Sequence, residues 1–194
     1  MKLLLTGFEP FGGATENPSQ ELLGAFRGKV ATVLLPNAIR RAPAVLFRAV
    51  KRERPDTVLH LGESRKAKQI IVERGAINVL DTNIPDNDGN SARKEPVVRG
   101  APDALRSTLP IDRIERAIAA VGIPVRQRSH GGTHVSNQVF FMLLDSGLVP
   151  RVGYIHIPPI QHRPRGPGMP FWKLQLAIAT AIDVLGTEKP HRRR

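Results

Sequence analysis

The sequence has no cysteine, one tryptophan and one tyrosine, and no long apolar run. Without cysteine it has neither a disulfide framework nor a thiolate metal site. The apolar runs Leu3 to Leu5, Val30 to Leu35 and Val139 to Leu144 fall well short of the roughly 18–20 residues a membrane helix needs. The N-terminal stretch runs straight into Gly7 and is too short for a signal-peptide core. A cytoplasmic protein with no membrane partner is expected. A single Tyr and a single Trp offer no platform for stacking bases. Lys and Arg exceed Asp and Glu by 29 to 17, a net charge of +12, which raises the question of a nucleic-acid partner. The basic clusters, however, are scattered: Arg40-Arg41, Lys51-Arg52-Glu53-Arg54, Arg65-Lys66-Ala67-Lys68 and Arg192-Arg193-Arg194. They read as a solvated surface, and no nucleic-acid partner is expected. Of the six histidines, His130 and His134 straddle the Gly131-Gly132 turn rather than share a helix face, so no metal or cofactor is expected.

What is present suits one folded unit. A chain of 194 residues with 41% hydrophobic content fits one core. The expected division is a single domain over residues 1–188 and a disordered basic tail over 189–194. Apolar spacing and turn residues predict strands at Lys2 to Thr6, Val30 to Leu35, Thr57 to Leu61, Ile70 to Ile77, Pro124 to Gln127 and Val152 to Ile157. They predict helices from Asn17-Pro18-Ser19, over Pro43 to Arg52, Pro110 to Val121 and His134 to Leu144, and from Met169 to Leu185. Alternation of this kind implies an α/β fold with a mainly parallel central sheet and helices on both faces. Ligands in such folds sit at the carboxyl ends of strands. The segment Asp81 to Pro102 is long, polar and rich in turn residues, a profile of functional or mobile loops.

Four stretches carry chemistry. In Thr6-Gly7-Phe8-Glu9-Pro10-Phe11-Gly12-Gly13, two phenylalanines sit on a Gly/Pro loop, where they can line a pocket or cover the sheet end. In Ser129-His130-Gly131-Gly132-Thr133-His134-Val135-Ser136-Asn137, a strand-to-helix junction points backbone N–H groups at one spot, which suits an oxyanion. Ser136 there is a nucleophile candidate near a helix start, or an ordinary helix cap. His156 lies in the apolar strand Gly153-Tyr154-Ile155-His156-Ile157. A serine followed by a histidine on the next strand is a nucleophile–base arrangement for acyl transfer. Glu73 interrupts the run Ile70-Ile71-Val72 and can orient His156, or pair with Arg74 or another arginine. A Gly-x-Ser-x-Gly elbow is missing around Ser136.

Taken in order, these stretches resemble pyroglutamyl-peptidase I over nearly the whole chain. Ile84-Pro85-Asp86-Asn87-Asp88-Gly89 and Ser107-Thr108-Leu109-Pro110 resemble the family's middle segment. The resemblance implies a three-layer α/β/α sandwich with a mainly parallel, mixed central sheet that assembles as a homotetramer and removes N-terminal pyroglutamate from peptides by nucleophilic acyl transfer. It places Ser136 at the nucleophilic cysteine, His156 as general base and acid, and Glu73 as the residue orienting His156. It places Phe8, Phe11, Asn17, Glu63, Ile84 and Val135 around the substrate. A small neutral lactam with no free amine needs an apolar slot and a few donors and acceptors, which a two-phenylalanine loop fits.

Some positions depart from the family pattern. Ser136 stands where the pattern has cysteine, and an alkoxide forms less readily than a thiolate. The resemblance therefore implies a peptidase that is inactive or very slow. A cysteine changed to disable the site, a natural serine-dependent relative, and a non-catalytic pyroglutamate-binding relative all fit that substitution. Glu63 stands for glutamine, followed by the basic run Arg65 to Lys68, read as an exposed, mobile loop. Asn83 stands for arginine, leaving an oxyanion to backbone N–H groups near Ser136. The interval from Ser136 to His156 is shorter than in the family pattern, with the shortening expected between Asp145 and Arg151.

Overall fold

The first strand shows how the sheet is built. In β1 (Leu3–Phe8) every side chain is buried. Leu3 and Leu5 belong to one core and Leu4 and Phe8 to another, because alternate residues of a strand face opposite sides. A strand covered on both faces is near-continuously apolar, as this one is. The computed structural model describes residues 1–163 and 166–187. The expected tail at 189–194, and residue 188 of the expected domain, lie outside the described residues.

The remaining elements are α1 (Pro18–Phe26), β2 (Ala31–Leu35), α2 (Arg41–Glu53), β3 (Thr57–Glu63), β4 (Ile70–Glu73), β5 (Gly75–Ile77), β6 (Ala104–Arg106), α3 (Ile111–Ala120), β7 (Val125–Arg128), α4 (Val135–Ser146), β8 (Arg151–Ile157) and α5 (Phe171–Gly186). Every expected helix forms, within two residues of the expected bounds. The main sheet has the order β2-β1-β3-β8-β4-β7. One face carries the core to which α1, α3 and α5 contribute Leu22, Ile114 and Leu174. The other carries the core to which α2 and α4 contribute Leu46 and Phe140. The result is a three-layer α/β/α sandwich.

The central sheet is mainly parallel and mixed, as expected: β2, β1, β3 and β8 run parallel, but β4 is antiparallel to β8 and parallel to β7. The loop after β7 therefore leaves from the opposite end of the sheet to the loops after β1 and β8. The expected strand Ile70 to Ile77, however, is two strands. β4 stays in the main sheet, while β5 pairs with the unexpected β6 in a separate ribbon. Gly75 permits that pairing, because a Cβ there would strike the Leu105 carbonyl.

The long segment 81–102 is fastened to the loops beside it. Asp86 Oδ2 accepts from the Ile39 amide at 2.7 Å, Asn87 Nδ2 donates to the Pro10 carbonyl at 2.9 Å, and Arg41 pairs with Asp88 at 2.6 Å. The Asn78 side chain accepts from the Val98 amide and donates to the Val98 carbonyl, both at 2.8 Å. Among the described residues, no helix is long and apolar enough to cross a membrane.

Candidate active site

The loop after β1 is set by α1. Asn17 caps that helix, its Oδ1 accepting from the Ser19 amide at 3.0 Å and the Ser19 hydroxyl at 2.8 Å. Ser19 Oγ in turn accepts from the Phe8 amide at 2.9 Å, and Asn17 Nδ2 donates to the Glu9 carbonyl at 3.2 Å. Gly7 allows this closeness, since a Cβ there would sit 2.7 Å from the Ser19 carbonyl oxygen. Phe8 and Phe11 thus stand on a loop clamped to a helix start.

Ser136 is the second residue of α4. The amides of its first turn have no partner within the helix and carry the positive end of the dipole. Asn137 fixes this end of α4. Its Oδ1 accepts from the Ile77 amide at 3.1 Å, and its Nδ2 donates to the Ile77 and Val79 carbonyls at 2.8 and 3.2 Å.

His156 is 5% exposed and Glu73 is fully buried. They meet because β4 and β8 are antiparallel neighbours with Ile71 opposite His156. His156 Nδ1 lies 2.6 Å from Glu73 Oε1. Arg128, at the end of β7, grips the same carboxylate, with Nη2 2.5 Å and Nε 3.0 Å from Oε1. Arg74 turns away to Gln127 Oε1 at 2.7 Å, so the glutamate's cation is Arg128. A carboxylate held by a guanidinium only accepts hydrogen bonds. Arg128 Nη2 also lies 2.9 Å from His156 Nδ1. With the carboxylate accepting from Nδ1, Nε2 is left as an acceptor. Burial, the largest influence, holds the His156 pKa below the usual value, against the upward pull of Glu73. The imidazole is neutral and basic at neutral pH.

Nε2 meets a tyrosine. Tyr154 Oη is 2.8 Å away. Tyr154 and His156 are two apart on β8 and share a face.

These groups line one small cavity of about 90 Å³, bounded by Phe8, Phe11, Asn17, Asn37, Gly62, Glu63, Gly131, His134, Ser136, Tyr154 and His156. That space is about that of three waters at liquid density, enough for one small ring. Arg65 packs beside the cavity. Its guanidinium stacks over Phe11 at 4.6 Å, donates to the Phe11 carbonyl, and lies 3.6 Å from Glu63 Oε2. The basic run thus sets one guanidinium against two cavity residues. Burial raises the Glu63 pKa, with Arg65 opposing, and Glu63 Oε2 has no hydrogen-bond partner among the described residues.

The cavity brings together Phe8, Phe11, Asn17, Glu63, Ser136 and His156, with Glu73 behind His156. It does not include Ile84 or Val135. Ile84 is 39% exposed beside Gly12. Val135 is buried in the core under α2 and α4, because one helical step from Ser136 turns a side chain toward the other side. Sequence reasoning missed Tyr154, Arg128, His134 and Asn37. The two-residue spacing of Tyr154 from His156 was a readable signal; Arg128 and Asn37 arrive only through pairing of distant segments. Among the described residues, no group of three or more His, Asp or Glu side chains is placed to hold a metal ion.

Comparison with known proteins agrees with this geometry. The sequence model described as pyroglutamyl peptidase matches residues 1–185. The chain belongs to the pyroglutamyl peptidase family. It is 35% identical to the pyrrolidone-carboxylate peptidase of Thermococcus onnurineus, covering 95% of this chain and 96% of that one. It is 41% identical to that of Bacillus amyloliquefaciens, covering 82% and 79%. The fold matches the crystal structure of pyroglutamyl peptidase I from Bacillus amyloliquefaciens with a TM-score of 0.91 at 34% identity, covering 96% and 95%. It matches a mutant pyrrolidone carboxyl peptidase from Pyrococcus furiosus with a TM-score of 0.90 at 31% identity, covering 97% and 100%. The α/β/α sandwich is thus the fold of this peptidase family.

Proposed function

We propose that this chain is a pyroglutamyl peptidase that removes N-terminal pyroglutamate from peptides, with Ser136 at the nucleophile position, His156 as general base and acid, and Glu73 orienting His156. The observation that carries this reading is the buried Glu73–His156 pair on one wall of a ring-sized cavity that also holds Phe8, Phe11 and Ser136. Phe8 and Phe11 supply the apolar slot. Asn17 and Glu63 are the polar groups toward the lactam. Amides in the first turn of α4 face the developing oxyanion.

Serine makes this a slow enzyme relative to a thiol at the same place. Ser136→Cys is expected to raise the hydrolysis of a chromogenic pyroglutamyl amide by roughly tenfold or more, because a thiolate forms more readily and attacks faster than an alkoxide. A cysteine variant no faster than the parent contradicts the nucleophile assignment, and one that binds pyroglutamate without turnover points to a binding protein. The proposed setting is the cytoplasm, and the proposed assembly is a homotetramer, as the family resemblance implies.

A further inference from the structure

In a direct nucleophile–base pair, the histidine nitrogen would face the nucleophile. Here His156 Nε2 faces the Tyr154 hydroxyl at 2.8 Å, and Ser136 lines the same small cavity as Tyr154 and His156. The tyrosine is held in that place from both sides. Its ring stacks at a tilt on His156 with centroids 4.3 Å apart and meets Phe140 edge-on at 5.8 Å. Its hydroxyl lies over Gly62, where any Cβ would collide with it, and a Cβ on Gly131 would come within 2.8 Å of its ring. Two glycines from separate elements therefore leave the slot the tyrosine fills.

We propose that Tyr154 is a catalytic residue that relays the proton between Ser136 and His156, so that the working chain is Glu73–His156–Tyr154–Ser136. This deepens the peptidase reading and rests on it for the substrate. In acylation, Ser136 Oγ forms a bond to the pyroglutamyl carbonyl carbon. Its proton passes to Tyr154 Oη as the tyrosine's own proton passes to His156 Nε2, and the carbonyl π pair becomes the oxyanion. On collapse the C–N bond breaks, and the proton returns from Nε2 through Oη to the leaving amine. Water then repeats the sequence in place of Ser136, releasing pyroglutamate and restoring the serine. The phenol is neutral before and after each exchange. Burial, which pushes the Tyr154 pKa well above its ordinary value, therefore does not oppose the step. A serine keeps its proton until attack and needs a concerted acceptor; a hydroxyl held against Nε2 supplies one.

The test compares the parent chain with Tyr154→Phe using two probes. One is a chromogenic pyroglutamyl amide. The other is diisopropyl fluorophosphate, whose P–F bond is displaced by Ser136 Oγ, with the adduct located by mass spectrometry. The expected result is adduct at Ser136 in the parent and a loss of roughly a hundredfold in both rates in the variant, the typical worth of a positioned proton carrier, with KM little changed. A variant reacting at the parental rate or faster overturns the relay, as does a parent that forms no adduct at Ser136. Should Tyr154→Phe fail to fold, the parent's adduct rate in mixtures of light and heavy water decides. Two protons moving together give a curved dependence on deuterium fraction, and a straight line overturns the relay. Adduct formation without hydrolysis of any pyroglutamyl amide overturns the substrate reading alone.

Discussion

His60 lies fully buried on β3, in register with Thr6 on one side and Tyr154 on the other. Its Nδ1 meets Thr6 Oγ1 at 2.7 Å, while Nε2 has no partner among Phe140, Tyr154 and the strands. Burial drives its pKa from 6.5 down to about 3. The unfolded chain takes up this proton below its ordinary pKa and the folded chain does not. The stability this residue supports is therefore whole above pH 6.5 and is lost progressively as pH falls toward 3. One such proton is worth about 1.4 kcal/mol per pH unit in that window. His60→Phe is expected to flatten the fall in stability measured by urea unfolding between about pH 6 and about pH 4 by up to that slope. An unchanged slope means the buried imidazole is not what the acid limb reports.

At the scale of elements, α4 joins the site to the rest of the fold. Its first turn carries Ser136. The next residue, Asn137, uses both atoms of its amide on the backbone of residues 77 and 79, just before the long segment fastened by Asp86 and Asn87. Asn137→Ala removes three hydrogen bonds in a buried place and leaves backbone groups unpaired. At roughly 1 kcal/mol per bond, a loss of about 3 kcal/mol in urea unfolding is expected. Hydrogen exchange at the Ile77 amide should speed in step. A loss below about 1 kcal/mol, the worth of a single bond, would mean that water replaces the side chain. Elements of this kind were readable in advance. The cap at Asn17, the glycine turn before α4 and the apolar period of α5 are local signals, and each formed close to where its residues indicated. The split of Ile70 to Ile77 was not readable, because β-rich residues look alike whether their partner is the main sheet or a separate hairpin.

At the scale of the whole molecule, the net charge of +12 is spread over a surface that offers no stacked aromatic groups for bases. Trp172 and Leu148 are exposed at 59% and 63%, single apolar side chains of the kind a folded surface ordinarily carries. The proposed homotetramer is tested by particle mass. Sedimentation equilibrium is expected to give four chains per particle, and a monomer at micromolar concentration refutes the proposed assembly.

By itself the sequence determined the fold class, the helices, and the membership of Phe8, Phe11, Asn17, Glu63, Ser136 and His156 in one site. Those residues sit on short segments whose local chemistry fixes their setting. It determined also that oxygen, not sulfur, stands at position 136. Only the tertiary structure decided what surrounds that oxygen. The antiparallel pairing of β4 with β8 brought Glu73 to His156, and the reversed β7 brought Arg128 to Glu73. Register across β3 and β8 set Gly62 beside His156, opening the space in which the Tyr154 hydroxyl meets His156. Ile84 and Val135 left the site for the same reason: a side chain's direction depends on helical phase and on the packing of distant segments, and neither is written in a motif.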